Sequence, residues 1–200
     1  MAIEYGFSER MAMSDGVAAV ADVRSVLLAQ IPGAVNVTRA ATDNDKQGID
    51  WWVELSTARH LAIDAKVRES DWAATHPRED DLALESWSVV EKGVVGWARD
   101  EKKKCDYVLW LWADTRRFCL VPFPMLCRVF SMNWQEWAKQ FKTRRQFTSR
   151  NSGGYHSECI FVPRRELWAQ IYLQYGGNLP APKKSQRDSW IAEFEGEAHA

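Results

Sequence analysis

Three side chains in this sequence have the types and spacing to do chemistry together: Asp50, Asp64 and Lys66. Asp64-Ala65-Lys66 follows the apolar run Leu61-Ala62-Ile63, and Asp50 lies near the head of another, Ile49 to Leu55. If the two runs are strands joined by a turn over Ser56–Arg59, Asp50 and Asp64 meet about 5 Å apart across the ladder. Strand alternation then puts Asp64 and Lys66 on one face. Two facing carboxylates repel unless a cation lies between them, and oxygen donors suit Mg²⁺ or Mn²⁺. The backbone carbonyl of Ala65 could add a neutral third ligand. Lys66 beside such an ion could orient or help deprotonate an attacking water, or stabilise charge on a phosphorane. Two acids, one lysine and a metal suffice to hydrolyse a phosphodiester.

Other residues carry weaker signals. Glu85 could be a further ligand or hold a water; an ordinary first-turn acid of a helix has the same appearance. Lys102, Lys103 and Lys104 could bind phosphates or could simply close a helix. Lys139, Lys142, Arg144, Arg145 and Arg150 form the better candidate for a nucleic-acid surface, with Phe141 and Phe147 between them to stack on a base. His60, His76, His156 and His199 show no catalytic spacing, so a Ser-His-Asp site has no support. Cys105, Cys119, Cys127 and Cys159 contain no Cys-x-x-Cys pair and read as buried thiols of a reducing cytoplasm.

The elements that must position these residues follow from periodicity. Ser14 and Asp15 offer a cap for a helix over Gly16–Gln30, ended by Pro32-Gly33. Strands are expected over Ala34–Ala40, Ile49–Leu55 and His60–Val67. A long polar loop, Glu69–Asp81, precedes an expected helix over about Leu82–Lys103. Tyr107–Trp112, a continuous apolar run, reads as a strand buried on both faces, and Phe118–Phe123 closes a hairpin with it. A helix over Trp134–Phe141, a Gly153-Gly154 turn, a strand over Glu158–Val162 and a helix from Pro163 to about Tyr175 complete the expectation. The fold class is α/β: a mixed sheet flanked by helices, with helix and strand additions towards the C-terminus. Residues 1–175 read as one domain and 176–200 as a tail in which Trp190, Ile191 and Phe194 could dock.

The stretch Gly48-Ile49-Asp50-Trp51-Trp52-Val53-Glu54-Leu55, followed by Leu61-Ala62-Ile63-Asp64-Ala65-Lys66, resembles the PD-(D/E)XK nuclease superfamily, which includes restriction endonucleases and Holliday-junction resolvases. That family's core order, one helix, three strands, a helix and a strand, is similar to the reading above over about residues 14–112. The resemblance implies a restriction-endonuclease-like core, metal-dependent cleavage of DNA, and Asp50, Asp64 and Lys66 as the catalytic set. Many members place an acid on the first helix, and Asp22 would be its counterpart. Gly48-Ile49 stands where a proline often precedes the first acid. Such enzymes often act as two-fold dimers, because a duplex has two strands to cut.

Charge and composition set the limits. The net charge of −1 hides an acidic first half and a basic second half, which suits a metal on one side and a polyanion on the other. No run of eighteen apolar residues exists in the 200, so no membrane-spanning helix is expected. The first ten residues, with Glu4 and Glu9, lack a secretory layout. A different class stays open: a non-catalytic protein that keeps the nuclease fold and binds nucleic acid or a protein partner, such as a phage or plasmid inhibitor of a host system.

Overall fold

A computed structural model describes residues 22–45, 47–150 and 153–175. Helix α1 (Val23–Gln30) begins at Asp22, whose Oδ1 accepts the Ser25 N–H at 3.1 Å. The expected cap at Ser14 and Asp15 and the tail at 176–200 lie outside the described residues. Strand β1 (Ala34–Arg39), the single helical turn α2 (Thr42–Asp45), β2 (Trp51–Leu55) and β3 (His60–Arg68) follow. The three strands form an antiparallel meander in the expected register, with Trp51 opposite Ile63 and Trp52 opposite Ala62. Strand β6 (Tyr107–Trp112) then joins β3 in parallel, and β7 (Phe118–Pro122) returns antiparallel to β6. The sheet order is β1-β2-β3-β6-β7.

A parallel pair needs a crossover, and here the structure corrects the sequence reading. No helix spans Leu82–Lys103. Strand β4 (Asp81–Val89), the short β5 (Val94–Val95) and turns of 3-10 helix at Val90–Lys92 and Trp97–Arg99 occupy the segment. The burial has period two: Leu82, Leu84 and Ser86 are fully buried while Ala83 and Glu85 are half-buried. The apparent helical spacing of Leu84, Val90, Val94 and Trp97 is a coincidence of β-branched residues with two glycines. What makes the segment a strand is its partner Gly153–Pro163, far away in sequence, which pairs Val162 with Leu82 and Ile160 with Leu84. Lys102–Lys104 therefore lie in a loop and not at a helix end.

The rest of the chain supplies that partner. Helix α3 (Phe123–Gln140) is longer than expected; β8 (Thr143–Arg150) and β9 (Gly153–Pro163) form an antiparallel pair; and α4 (Arg164–Tyr175) follows. A second, four-stranded sheet results, ordered β5-β4-β9-β8. Among the described residues the architecture is thus mixed α/β, with two sheets, three helices of two turns or more and the single turn α2.

Two cores divide the packing. Val23 and Leu27 of α1 cover one face of the first sheet, on Val37, Val53, Ile63, Leu109 and Leu111. The opposite face (Ala62, Val108, Trp110, Val121) joins Leu84 and Ile160 of the second sheet and Phe130 and Leu167 of the helices. β6 is buried on both faces, as its unbroken apolar run requires. Arg117 ties the parts together. Its Nε and Nη2 donate to Asp71 at 2.6 and 2.7 Å, and its Nη1 donates to Asp80 at 2.7 Å. Asp80 also accepts from Arg164 Nε at 2.7 Å, so the long loop fastens the β6–β7 turn to the start of α4. Among the described residues, no helix is long and apolar enough to cross a membrane.

Candidate active site

β3 alternates its side chains, so Ile63 points to α1 while Ala62, Asp64 and Lys66 share the other face. Asp64 is 2% exposed. A carboxylate that deep needs compensation, and two ammonium groups provide it: Lys66 Nζ lies 2.6 Å from Oδ1 and Lys103 Nζ 2.7 Å from Oδ2. Burial raises the pKa of Asp64, but the two lysines outweigh it and hold the carboxyl below its usual value. Burial likewise opposes the charge on Lys66, and Asp64 with Asp50 overcomes it, so its pKa is raised. Trp97 roofs the pair, with its ring centroid 4.9 Å from Lys66 Nζ and 5.3 Å from Lys103 Nζ. Such contacts favour cations over an aromatic face.

Asp50 precedes the first residue of β2, and the antiparallel register carries it opposite Asp64. Its Oδ2 accepts the Ala65 N–H at 2.6 Å, so the carboxylate takes over where backbone pairing ends. Asp50, Asp64 and Lys66 therefore stand together at this end of the meander.

Glu85 comes to the same place from β4, not from the head of a helix. Its Oε2 accepts the Trp97 N–H at 3.0 Å. Burial raises its pKa; the Trp97 hydrogen bond and the nearby Lys66 and Lys103 offset this in part. Gly96 makes the approach possible. A Cβ there would fall 2.3 Å from the carbonyl oxygen of Glu85, so only glycine lets the Trp97 turn close on β4.

The remaining candidates scatter. Asp22 caps α1, which packs on the opposite face of the sheet, and so stands apart from the cluster. Lys102 and Lys104 are exposed, and only Lys103 of the three reaches the site. Lys139 pairs with Glu136 at 3.1 Å on the exposed face of α3. β8 splits the basic stretch between its two faces. Arg145 binds Glu158 at 2.8 Å, while Lys142 and Arg144 turn to the ring of Phe161. Arg150 closes β8, and its side chain lies outside the described part. Trp97 and the role of Lys103 have no clear mark in the sequence. A tryptophan just after a glycine is a weak signal, and Lys103 is one lysine among three.

All four cysteines are free thiols. Burial pushes Cys105 and Cys159 up to about 12 and raises Cys119 and Cys127. Thiols so shifted are poor nucleophiles at neutral pH.

Asp50, Asp64 and the Ala65 carbonyl are all oxygen donors at adjacent positions, which fits the chemistry of Mg²⁺ or Mn²⁺. Among the described residues, no three His, Cys, Asp or Glu side chains converge on one point. An ion here would thus rest on two carboxylates and would displace an ammonium from Asp64. The sequence matches no family model, and neither a curated protein nor a solved structure is similar to it.

Proposed function

We propose that this chain is a metal-dependent nuclease acting on DNA, of a restriction-like, resolvase-like or mobile-element kind, built on a restriction-endonuclease-like core. The observation that carries the reading is the convergence of Asp50, Asp64 and Lys66 at the end of a meander whose last strand pairs in parallel with β6. The order α1, β1, β2, β3, crossover, β6 supports the core. The crossover departs from the family pattern, because strands and 3-10 turns stand where a helix is usual. The buried free thiols agree with a cytoplasmic setting. A two-fold dimer would serve both strands of a duplex.

Asp50, Asp64 and the Ala65 carbonyl would hold Mg²⁺ or Mn²⁺. When bound, the ion supplies Lewis-acid charge at the phosphate and lowers the pKa of water. Lys66, its pKa raised, stays charged at neutral pH and serves as a fixed positive charge rather than a base. Glu85, its pKa raised by burial, is better suited to take a proton from water.

Supercoiled plasmid with Mg²⁺ tests this. The expected result is nicking that a chelator abolishes and that Lys66→Met slows by about 10² or more with the fold retained. Equal cutting by a folded Lys66→Met variant would remove Lys66 from the mechanism. A second reading has its own support: both Asp64 oxygens are already neutralised by ammonium groups. On that reading the wild type binds nucleic acid but nicks no form of DNA, and the protein is a non-catalytic binder.

A further inference from the structure

Beyond Lys66 on the same face of β3 lies Arg68, two positions or about 7 Å further along the strand. Arg68 opens a cavity of about 400 Å³ between the two sheets. Trp110 and Trp112 of β6 line one side. Phe161 of β9 and Arg144 and Lys142 from the β8 side line the other. The register accounts for the second wall. Phe161 N donates to the Lys142 carbonyl at 2.9 Å, and Arg144 is opposite Cys159, so these residues share a face. Both cations lie 5.8 Å from the Phe161 ring, and neither makes a salt bridge among the described residues, although Asp81, which also lines the cavity, feels the charge of Lys142. At the cavity's edge, Asp71 is taken up by Arg117, and Glu79 accepts from the Trp72 indole at 3.0 Å.

Aromatic side chains and three cationic groups, Arg68, Lys142 and Arg144, form a set that takes a planar heterocycle joined to a phosphate. Trp110, 1% exposed, backs the cavity from the core.

We infer that this cavity holds one unpaired nucleotide of the nucleic acid, with its base against the Phe161 side of the cavity and its phosphate on Arg68 and Arg144. The inference rests on the nuclease reading for its direction. Lys66 and Arg68 share a face, so the nucleotide in the cavity neighbours the phosphate at Asp64 and Lys66. The protein would therefore prefer single-stranded, frayed or branched DNA, in which a base can leave its stack without the cost of breaking a pair.

Calorimetry of the full chain with deoxyadenosine monophosphate, adenosine and inorganic phosphate, without metal, tests this independently of cleavage. The monophosphate should bind at least tenfold more tightly than either part. Arg144→Gln, an exposed change, should weaken the monophosphate about tenfold and leave adenosine unchanged. Monophosphate binding no tighter than phosphate, or unchanged in Arg144→Gln, overturns the inference. A plasmid-cutting protein that fails here keeps the nuclease reading and loses the pocket. A protein that passes here but cuts nothing keeps the pocket and loses the nuclease.

Discussion

Lys103 crosses over Gly48 to reach Asp64: a Cβ on Gly48 would fall 2.2 Å from Lys103 Cε and 2.6 Å from its Nζ. Gly48 also sits at φ 74°, in the left-handed region that favours glycine. Both facts make this residue part of the site, although it has no functional group. Gly48→Ala should cost about 1–2 kcal/mol from the backbone alone and should push Lys103 off Asp64. Urea unfolding would give the first effect. The second would appear as tighter Mn²⁺ binding in calorimetry, because Asp64 Oδ2 is released. Unchanged stability would mean that the turn reshapes freely around the new side chain.

Asp64 holds two cations, so its loss is felt twice. Asp64→Asn leaves Lys66 and Lys103 without their shared counter-charge, which should cost about 3 kcal/mol or more. Adding Lys103→Met to that variant should recover part of the loss, because one of the uncompensated charges is gone. A double-mutant cycle measures the coupling. Strict additivity would show that Lys103 and Asp64 do not depend on each other. The same Asp64→Asn protein should lose Mn²⁺ binding.

The site also sets a pH response. The Glu85 pKa is raised above its ordinary 4.5 by burial. Between 4.5 and the folded value, the folded state binds more protons than the unfolded state, so stability falls as pH rises. This contribution is complete below 4.5 and is lost through the folded pKa. Asp64 works the other way: its stabilising effect is complete above its ordinary 3.8 and is lost as pH falls through the depressed folded value. Glu85→Gln should therefore flatten the decline in stability above pH 4.5 and leave the acid limb due to Asp64. Urea midpoints from pH 3 to 8 for both proteins would show it. An identical slope in the variant would place the titrating group elsewhere.

The parts legible in sequence were those governed by local pattern. The β1–β2–β3 meander, the doubly buried β6 and the pairing of Asp50 with Asp64 all follow from alternation and turn length, which neighbouring residues fix. β4 was not legible, because its identity as a strand depends on Val162 and Ile160, far along the chain. Lys103 and Trp97 are hidden for the same reason: their place beside Asp64 depends on the path of the crossover, which β9 fixes. The basic stretch was read as one surface, although β8 sends alternate residues to opposite faces.

That alternation gives a test of DNA binding. Arg145 is 2.8 Å from Glu158, and the Glu158 carboxylate also accepts from the buried Ser86 hydroxyl at 3.1 Å, so Arg145 acts in the fold. Lys142 and Arg144 face the cavity beside Arg68. Each phosphate contact contributes about 0.9 to the slope of log K against log salt on duplex DNA and about 0.7 on a single strand. Replacing Lys142 and Arg144 with Ala should thus flatten the slope on single-stranded DNA by about 1.4 and weaken binding at low salt. Arg145→Ala should leave the slope alone and lower the melting temperature instead, since Glu158 is 8% exposed and loses its cation. Fluorescence anisotropy across a salt series, with a thermal melt of each variant, separates the two. A flattened slope in Arg145→Ala, with none in the Lys142 and Arg144 variant, would put the nucleic acid on the other face of β8 and away from Asp64.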